Sequence, residues 1–138
     1  MLNIEFREKL NDDIYGMIDA EFGKFAEKNG VVCGYKAFAF TAEEDSKVVG
    51  VLRGHSYYND AHISDLIILE QYRGRGIGTR LLKAAEKYCA DKGFESITLS
   101  TYGFQAPEFY IKHGFEVEFV RENRENIKLT KYFLIKYI

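Results

Sequence analysis

The run Arg73-Gly74-Arg75-Gly76-Ile77-Gly78-Thr79 constrains this chain more than any other stretch. Three glycines and two arginines stand there between a short apolar segment and a long amphipathic one. Glycine reaches backbone conformations closed to other residues and lets a ligand approach the main chain, so the amides of such a turn can converge on one point. A helix that follows begins with four amides lacking an intrahelical partner and a partial positive charge. Together these make an anion-binding turn of the kind that holds phosphates, and the flanking guanidinium groups suit the same ligand.

The flanks decide what surrounds that turn. Upstream, Ile63, Leu66, Ile67, Ile68 and Leu69 form a nearly continuous apolar run, which reads as a strand buried on both faces. Downstream, Ile77, Leu81, Leu82, Ala85, Tyr88 and Cys89 recur at helical spacing, with Arg80, Lys83, Glu86 and Lys87 opposite them. This predicts an amphipathic helix stopped by Gly93.

Along the whole chain the order reads β-α-β-β-β-α-β-α-β-β. Leu2 to Phe6 is a candidate first strand. Asp12 to Lys28 carries Ile14, Met17, Ile18, Phe22 and Phe25 at helical spacing and is ended by Asn29-Gly30. Lys36 to Thr41 and Lys47 to Tyr58 read as a hairpin around the charged turn Glu43-Glu44-Asp45-Ser46. Ser96 to Ser100, Phe115 to Val120 and Tyr132 to Tyr137 supply further strands, and Pro107 suits the first turn of a short helix. The expected architecture is an α/β (α+β) sandwich with the sheet between helices, in one domain over residues 1–138.

Three readings compete for the glycine turn. A Walker A loop needs Gly-Lys-Ser/Thr, and Gly78 is followed by Thr79 and Arg80. A dinucleotide fingerprint counted from Gly74 meets Thr79 where its last glycine belongs, with too little chain left for further βαβ units. The third is met in full: Arg73, Gly76 and Gly78 resemble the Gln/Arg-x-x-Gly-x-Gly/Ala turn of the GNAT superfamily of acyl-CoA-dependent N-acetyltransferases. Gln105-Ala106-Pro107-Glu108-Phe109-Tyr110-Ile111-Lys112-His113-Gly114-Phe115 is similar to that family's second signature, a short helix carrying Phe-Tyr and closing on Gly-Phe. The resemblance runs from about Gly50 to Phe119. It departs at Gly103, where the family places Asn or a similar residue.

The resemblance implies a GNAT-like mixed, largely antiparallel sheet of six to seven strands flanked by helices, with a β-α-β acyl-CoA-binding unit. It also implies acetyl-CoA as cosubstrate. The pantetheine arm would pair with the backbone of Leu66, Ile67 and Ile68 and touch Ala106. The pyrophosphate would lie on the amides of Arg73, Gly74, Arg75, Gly76, Ile77, Gly78 and Thr79. Tyr110 would protonate the leaving thiolate, its alternative being a buried tyrosine bonded to a backbone carbonyl.

An attacking amine must be neutral, so a proton acceptor is needed. Asp65, Glu70, His62 and His55 are the candidates. Asp65 comes first because burial in an apolar strand would raise its pKa, although a structural hydrogen bond explains it equally well. Tyr57, Tyr58, Tyr102 and Phe104 are expected to cluster beside the cleft, as an acceptor pocket or as an aromatic rim or dimer contact.

Composition trims the alternatives. Nineteen basic and 21 acidic residues are intermixed for a net charge of −2, which argues against a nucleic-acid surface. Cys33 and Cys89 are too few for a disulfide framework, and Cys89 on the apolar helix face reads as a small core residue. Charge close behind Met1 speaks against a signal peptide, and no apolar run approaches the roughly 20 residues that span a bilayer, so a cytoplasmic protein is expected. No metal-ligand spacing and no Gly-x-Ser-x-Gly elbow occur, which favours direct transfer without a metal. The expected activity is therefore acetyl transfer to a primary amine of a small molecule or peptide. A CoA-binding module without turnover and, less favoured, a dinucleotide-binding enzyme stay open.

Overall fold

In the computed structural model, which describes residues 1–32 and 34–138, the alternation of Lys36–Glu44 and Lys47–Tyr57 becomes an antiparallel hairpin, β1 and β2. Its two-residue turn, Asp45-Ser46, has positive φ at both positions, 51° and 66°, the twist that suits a tight hairpin. Cys33 lies outside the described residues.

The apolar run upstream of the glycine turn extends back to form β3, Asp60–Ile68, antiparallel to β2. Then come α2 (Ile77–Asp91), β4 (Ser96–Tyr102), α3 (Pro107–Lys112), β5 (Glu116–Arg121) and β6 (Lys131–Tyr137). The sheet runs β1-β2-β3-β4-β6-β5, and β3 with β4 is its one parallel neighbour pair among the described residues. A sheet with so little parallel pairing offers no doubly wound dinucleotide crevice.

The chain divides into two compact units, Met1–Gly34 and Tyr35–Ile138. The first holds α1, Asp12–Lys28, capped by Asn11, whose side chain accepts from the Ile14 amide at 3.0 Å. Residues 1–6 form no strand, contrary to the alternation of Leu2, Ile4 and Phe6. Alternation describes faces, but a strand exists only where a ladder partner takes its backbone groups, and no described strand pairs with this segment.

In the second unit, α2 lays Leu81, Leu82, Ala85 and Cys89 on the sheet face made by Phe38, Leu52, Ala61, Ile63, Ile97 and Leu99. Cys89 is fully buried there, and desolvation first, then the nearby Glu86 charge, push its thiol up to about 11, so it is the inert core residue expected. Gly93 follows the helix at φ +80°, and the Phe94 amide returns to the Cys89 carbonyl at 3.1 Å, closing the C-terminus.

One irregularity positions everything that follows. Arg53 pairs with Asp65 and Gly54 with Ile63, so Ser64 is an extra residue bulged out of β3. Only glycine fits opposite it, because a Cβ at Gly54 would collide with the His62 carbonyl oxygen. The bulge also shifts the strand's phase: Ala61 and Ile63 face the core before it, Leu66 and Ile68 after it.

Candidate active site

The site begins where two strands lose each other. β3 and β4 pair only over Asp60–His62 and Ser96–Thr98, then diverge toward their carboxyl ends. The gap is a cleft of about 1080 Å³, walled by Ser64 to Ile68 on one side and Leu99 to Thr101 on the other. Phe104, Gln105, Ala106, Phe109 and Tyr110 close it from the α3 side, while Arg73 and Gly78 stand at the phosphate-turn end. Backbone groups of Ser64 to Ile67 that point away from β2 have no strand partner there, so they remain open to an extended ligand, whereas the Ile68 carbonyl is taken by Arg73.

The expected strand is therefore not buried on both faces. Ile67 is 56 % exposed, on the face turned away from α2, while the parting of β4 frees the strand's edge. Asp65 shares that face and is half-exposed, its carboxylate 2.5 Å from Arg53 Nε across the β2–β3 ladder. The burial expected of it is absent.

The glycine turn has the backbone its sequence demands. Gly74 and Gly76 take φ of +76° and +78°, and Gly76 is the N-cap of α2 with no side chain bonded to the helix's first amides. Ile77, Gly78 and Thr79 thus open the helix with unpartnered N–H groups and no acidic residue in the first turn. Gly78 differs from expectation: its φ is not positive, and a Cβ there would meet Phe109 at 3.5 Å, an ordinary contact. Its smallness serves the packing of α2 on α3.

Both turn arginines are held by the protein. Arg73 donates from Nε to the Ile68 carbonyl at 2.9 Å, fastening the turn to the end of β3. Arg75 donates to the Gln71 carbonyl, pairs with Glu44 at 3.8 Å and lies 5.0 Å over the Tyr72 ring. That side chain leans toward the β1–β2 hairpin.

Tyr110 is buried, with its ring edge-on to Phe109 and Phe115 at 5.2 and 5.7 Å. Its hydroxyl makes no hydrogen bond with any described residue, so the backbone-carbonyl role is not observed. Burial pushes the phenol up to about 12, which keeps the proton on oxygen at neutral pH. The helix carrying it is tied to α2 by His113: Nδ1 donates to the Phe109 carbonyl at 2.7 Å, leaving Nε2 to accept from the Thr79 hydroxyl at 3.0 Å. Lys136 Nζ adds bonds to the His113 carbonyl and Glu86, at 2.8 and 3.0 Å.

The aromatics expected in one cluster occupy opposite ends of the sheet. Tyr102 stacks on Phe104 at 6.2 Å beyond β4, and of the four only Phe104 lines the cleft. Tyr57 instead contacts Tyr35, His55 and Tyr58 near the start of β3. This separation follows from the strand directions: β2 ends where β3 and β4 begin.

Two contributors escape residue-type reasoning. Gln105 caps the β4 exit by accepting from the Tyr102 amide at 2.9 Å and from Thr101. Ser64 lines the cleft and approaches His55. Its signal was available in the jump of apolar positions from Ile63 to Leu66. Glu70 sits in a single 3₁₀ turn after β3 and outside the cleft walls. Among the described residues no group of His, Cys, Asp or Glu is arranged to hold a metal, and no helix is long and apolar enough to cross a membrane.

Comparison with known proteins meets this geometry from three directions. The model of the Acetyltransferase (GNAT) family matches residues 4–115. An uncharacterized N-acetyltransferase of Methanocaldococcus jannaschii is 31 % identical over 97 residues, covering 68 % of this chain and 57 % of the relative. The chain thus spans a little over half of that protein's length. An acetyltransferase from Bacillus cereus superposes with a TM-score of 0.78 at 25 % identity, covering 97 % of this chain and 98 % of the other. The fold of an N-acetyltransferase from Thermoplasma acidophilum, solved in complex with coenzyme A, superposes with a TM-score of 0.62 at 20 % identity, over 95 % of this chain and 81 % of that one. With the parted strands, the uncapped glycine turn and the family match together, the chain belongs to the GNAT family of acetyltransferases.

Proposed function

We propose that this chain transfers an acetyl group from acetyl-CoA to a primary amine of a small molecule or peptide, by direct attack. The observation that carries this reading is the shared cleft: the unpartnered edge of β3, Gly78 in the open first turn of α2, and Tyr110 all border it. The coenzyme A complex of a protein with the same fold supports the choice of donor.

In this reading the pantetheine arm adds to the β3 edge at Leu66, Ile67 and Ile68, beside Ala106. The pyrophosphate lies on the amides of Gly74 to Thr79, at the positive end of α2. The amine nitrogen attacks the acetyl carbonyl, and β3 amides stabilise the oxyanion that forms. Collapse of that intermediate breaks the carbon–sulfur bond; Tyr110 gives its proton to the thiolate and is reprotonated from water as the nitrogen sheds its surplus proton to water, leaving the amide. Asp65, on the exposed face beside Ser64, receives the ammonium form of the acceptor.

Calorimetry with acetyl-CoA, followed by release of free CoA in the presence of a panel of primary amines, tests the proposal. Binding with amine-dependent release is expected. Binding without release from any amine would leave a CoA-holding module instead, and no binding would remove the reading.

A further inference from the structure

An amine with a pKa near 10 arrives protonated at neutral pH and must shed that proton inside the cleft before it can attack. Asp65 is occupied by Arg53 and open to water. The bulge supplies another exit. Because Ser64 is the extra residue of β3, it reaches the cleft wall, and its Oγ also lies 3.4 Å from His55 Nδ1 on β2. We propose that Ser64 and His55 relay the acceptor's proton out of the cleft, an inference that rests on the acetyltransfer reading above.

The transfer balances in one concerted step. The ammonium proton passes, directly or through one water, to Ser64 Oγ as the serine's own proton passes to His55 Nδ1. The amine keeps its lone pair, the serine is regenerated, and the His55 imidazolium releases its Nε2 proton to solvent. Exchange with water then returns the ring to its Nε2–H tautomer, with Nδ1 free to accept the next proton.

The neighbours of His55 favour such a route. Its ring lies 5.4 Å from His62, 5.9 Å from Tyr35 and 5.6 Å from Tyr57, on the face opposite α2. Arg53 and Tyr57 flank it along β2, and Ala37 is its β1 partner. His62, which ends the β3–β4 pairing, has its Nδ1 2.9 Å from Thr98 Oγ1, whose hydroxyl turns to the Ala61 carbonyl, so Nδ1 carries the hydrogen. Burial first, then His55 and Lys131, against an opposing pull from Asp60, hold His62 below the ordinary histidine range. A His62 held low adds less positive charge beside His55, and the Arg53 charge on the same strand is offset by Asp65.

The test uses the whole chain, saturating acetyl-CoA, and whichever of ethanolamine, phenethylamine or a lysine tripeptide the wild type acetylates fastest. Ser64→Ala and His55→Gln should each lower kcat/KM on the order of 10²-fold at neutral pH. The deficit should close as pH approaches the amine's own pKa, acetyl-CoA affinity should hold, and the double variant should lose no more than either single one. A loss that is equal at every pH, full activity in both variants, or multiplying losses would overturn the relay. Ser64→Ala decides alone if His55→Gln lowers the melting temperature. A wild type that binds acetyl-CoA yet acetylates none of the three amines fails the acetyltransfer reading, and the relay with it.

Discussion

The two halves of β3 are made of similar residues and do different work. From Asp60 to His62 the strand is paired on both edges, and Ala61, with Ile63 just past the last β4 pair, is buried in the core under α2. From Asp65 to Ile68 it keeps β2 but has lost β4, and its second edge opens. The difference lies in the partner, since both halves hold isoleucine and a polar residue or two. A binding cleft arises here because a ladder stops, leaving strand hydrogen bonds unmade in a place a ligand can reach.

The strongest test of the open half is Tyr110→Phe. The ring packing survives and the hydroxyl is lost, so kcat should fall by about 10²–10⁴-fold, with acetyl-CoA affinity and melting temperature nearly unchanged. Full activity by steady-state kinetics would return Tyr110 to a packing role. The closed half should answer in the opposite currency. Ile97→Ala, at a fully buried position paired with Ala61, should cost about 2–5 kcal/mol in denaturant unfolding, with acetyl-CoA affinity retained by the folded fraction.

Gly76→Val probes the hinge between strand and helix. Its left-handed backbone would be strained by roughly 1–3 kcal/mol, and its amides displaced, so acetyl-CoA should bind more weakly by calorimetry. Gly78→Val is the control without that strain: it crowds Phe109 and should weaken binding less. Equal losses would remove the distinction between the two glycines. The smallest effect belongs to Asp65→Asn. An exposed ion pair contributes below about 1 kcal/mol, so stability should hardly move while the acceptor KM rises. An unchanged KM would leave Asp65 as Arg53's partner only.

Legibility followed the range of the interactions. The glycine turn, α2 with its Gly93 stop, the β1–β2 hairpin and the Pro107 helix were readable because each is encoded within a few residues by caps, turns and periodicity. Leu2 to Phe6 misled because alternation is local and pairing is not. The state of Asp65 depends on Arg53, twelve residues away, and on β4 turning aside. The reach of the Arg75 side chain to Glu44 was not readable, because that contact is set by where the hairpin tip folds. Ser64 was hidden in plain view: its bulge shows as a skipped beat in the apolar pattern, visible only once β2 supplies the register.

The bond from Thr79 to the His113 ring carries one more consequence. A helix of six residues has too few internal hydrogen bonds to hold its shape in water. α3 therefore borrows its rigidity, through His113 from the first turn of α2 and through Lys136 from β6 and Glu86. It is a bracket bolted to two beams, with no independent fold to lose. Whatever loosens the start of α2 also loosens the seat of Tyr110, so the two ends of the cleft share one mechanical fate across a gap that no strand spans.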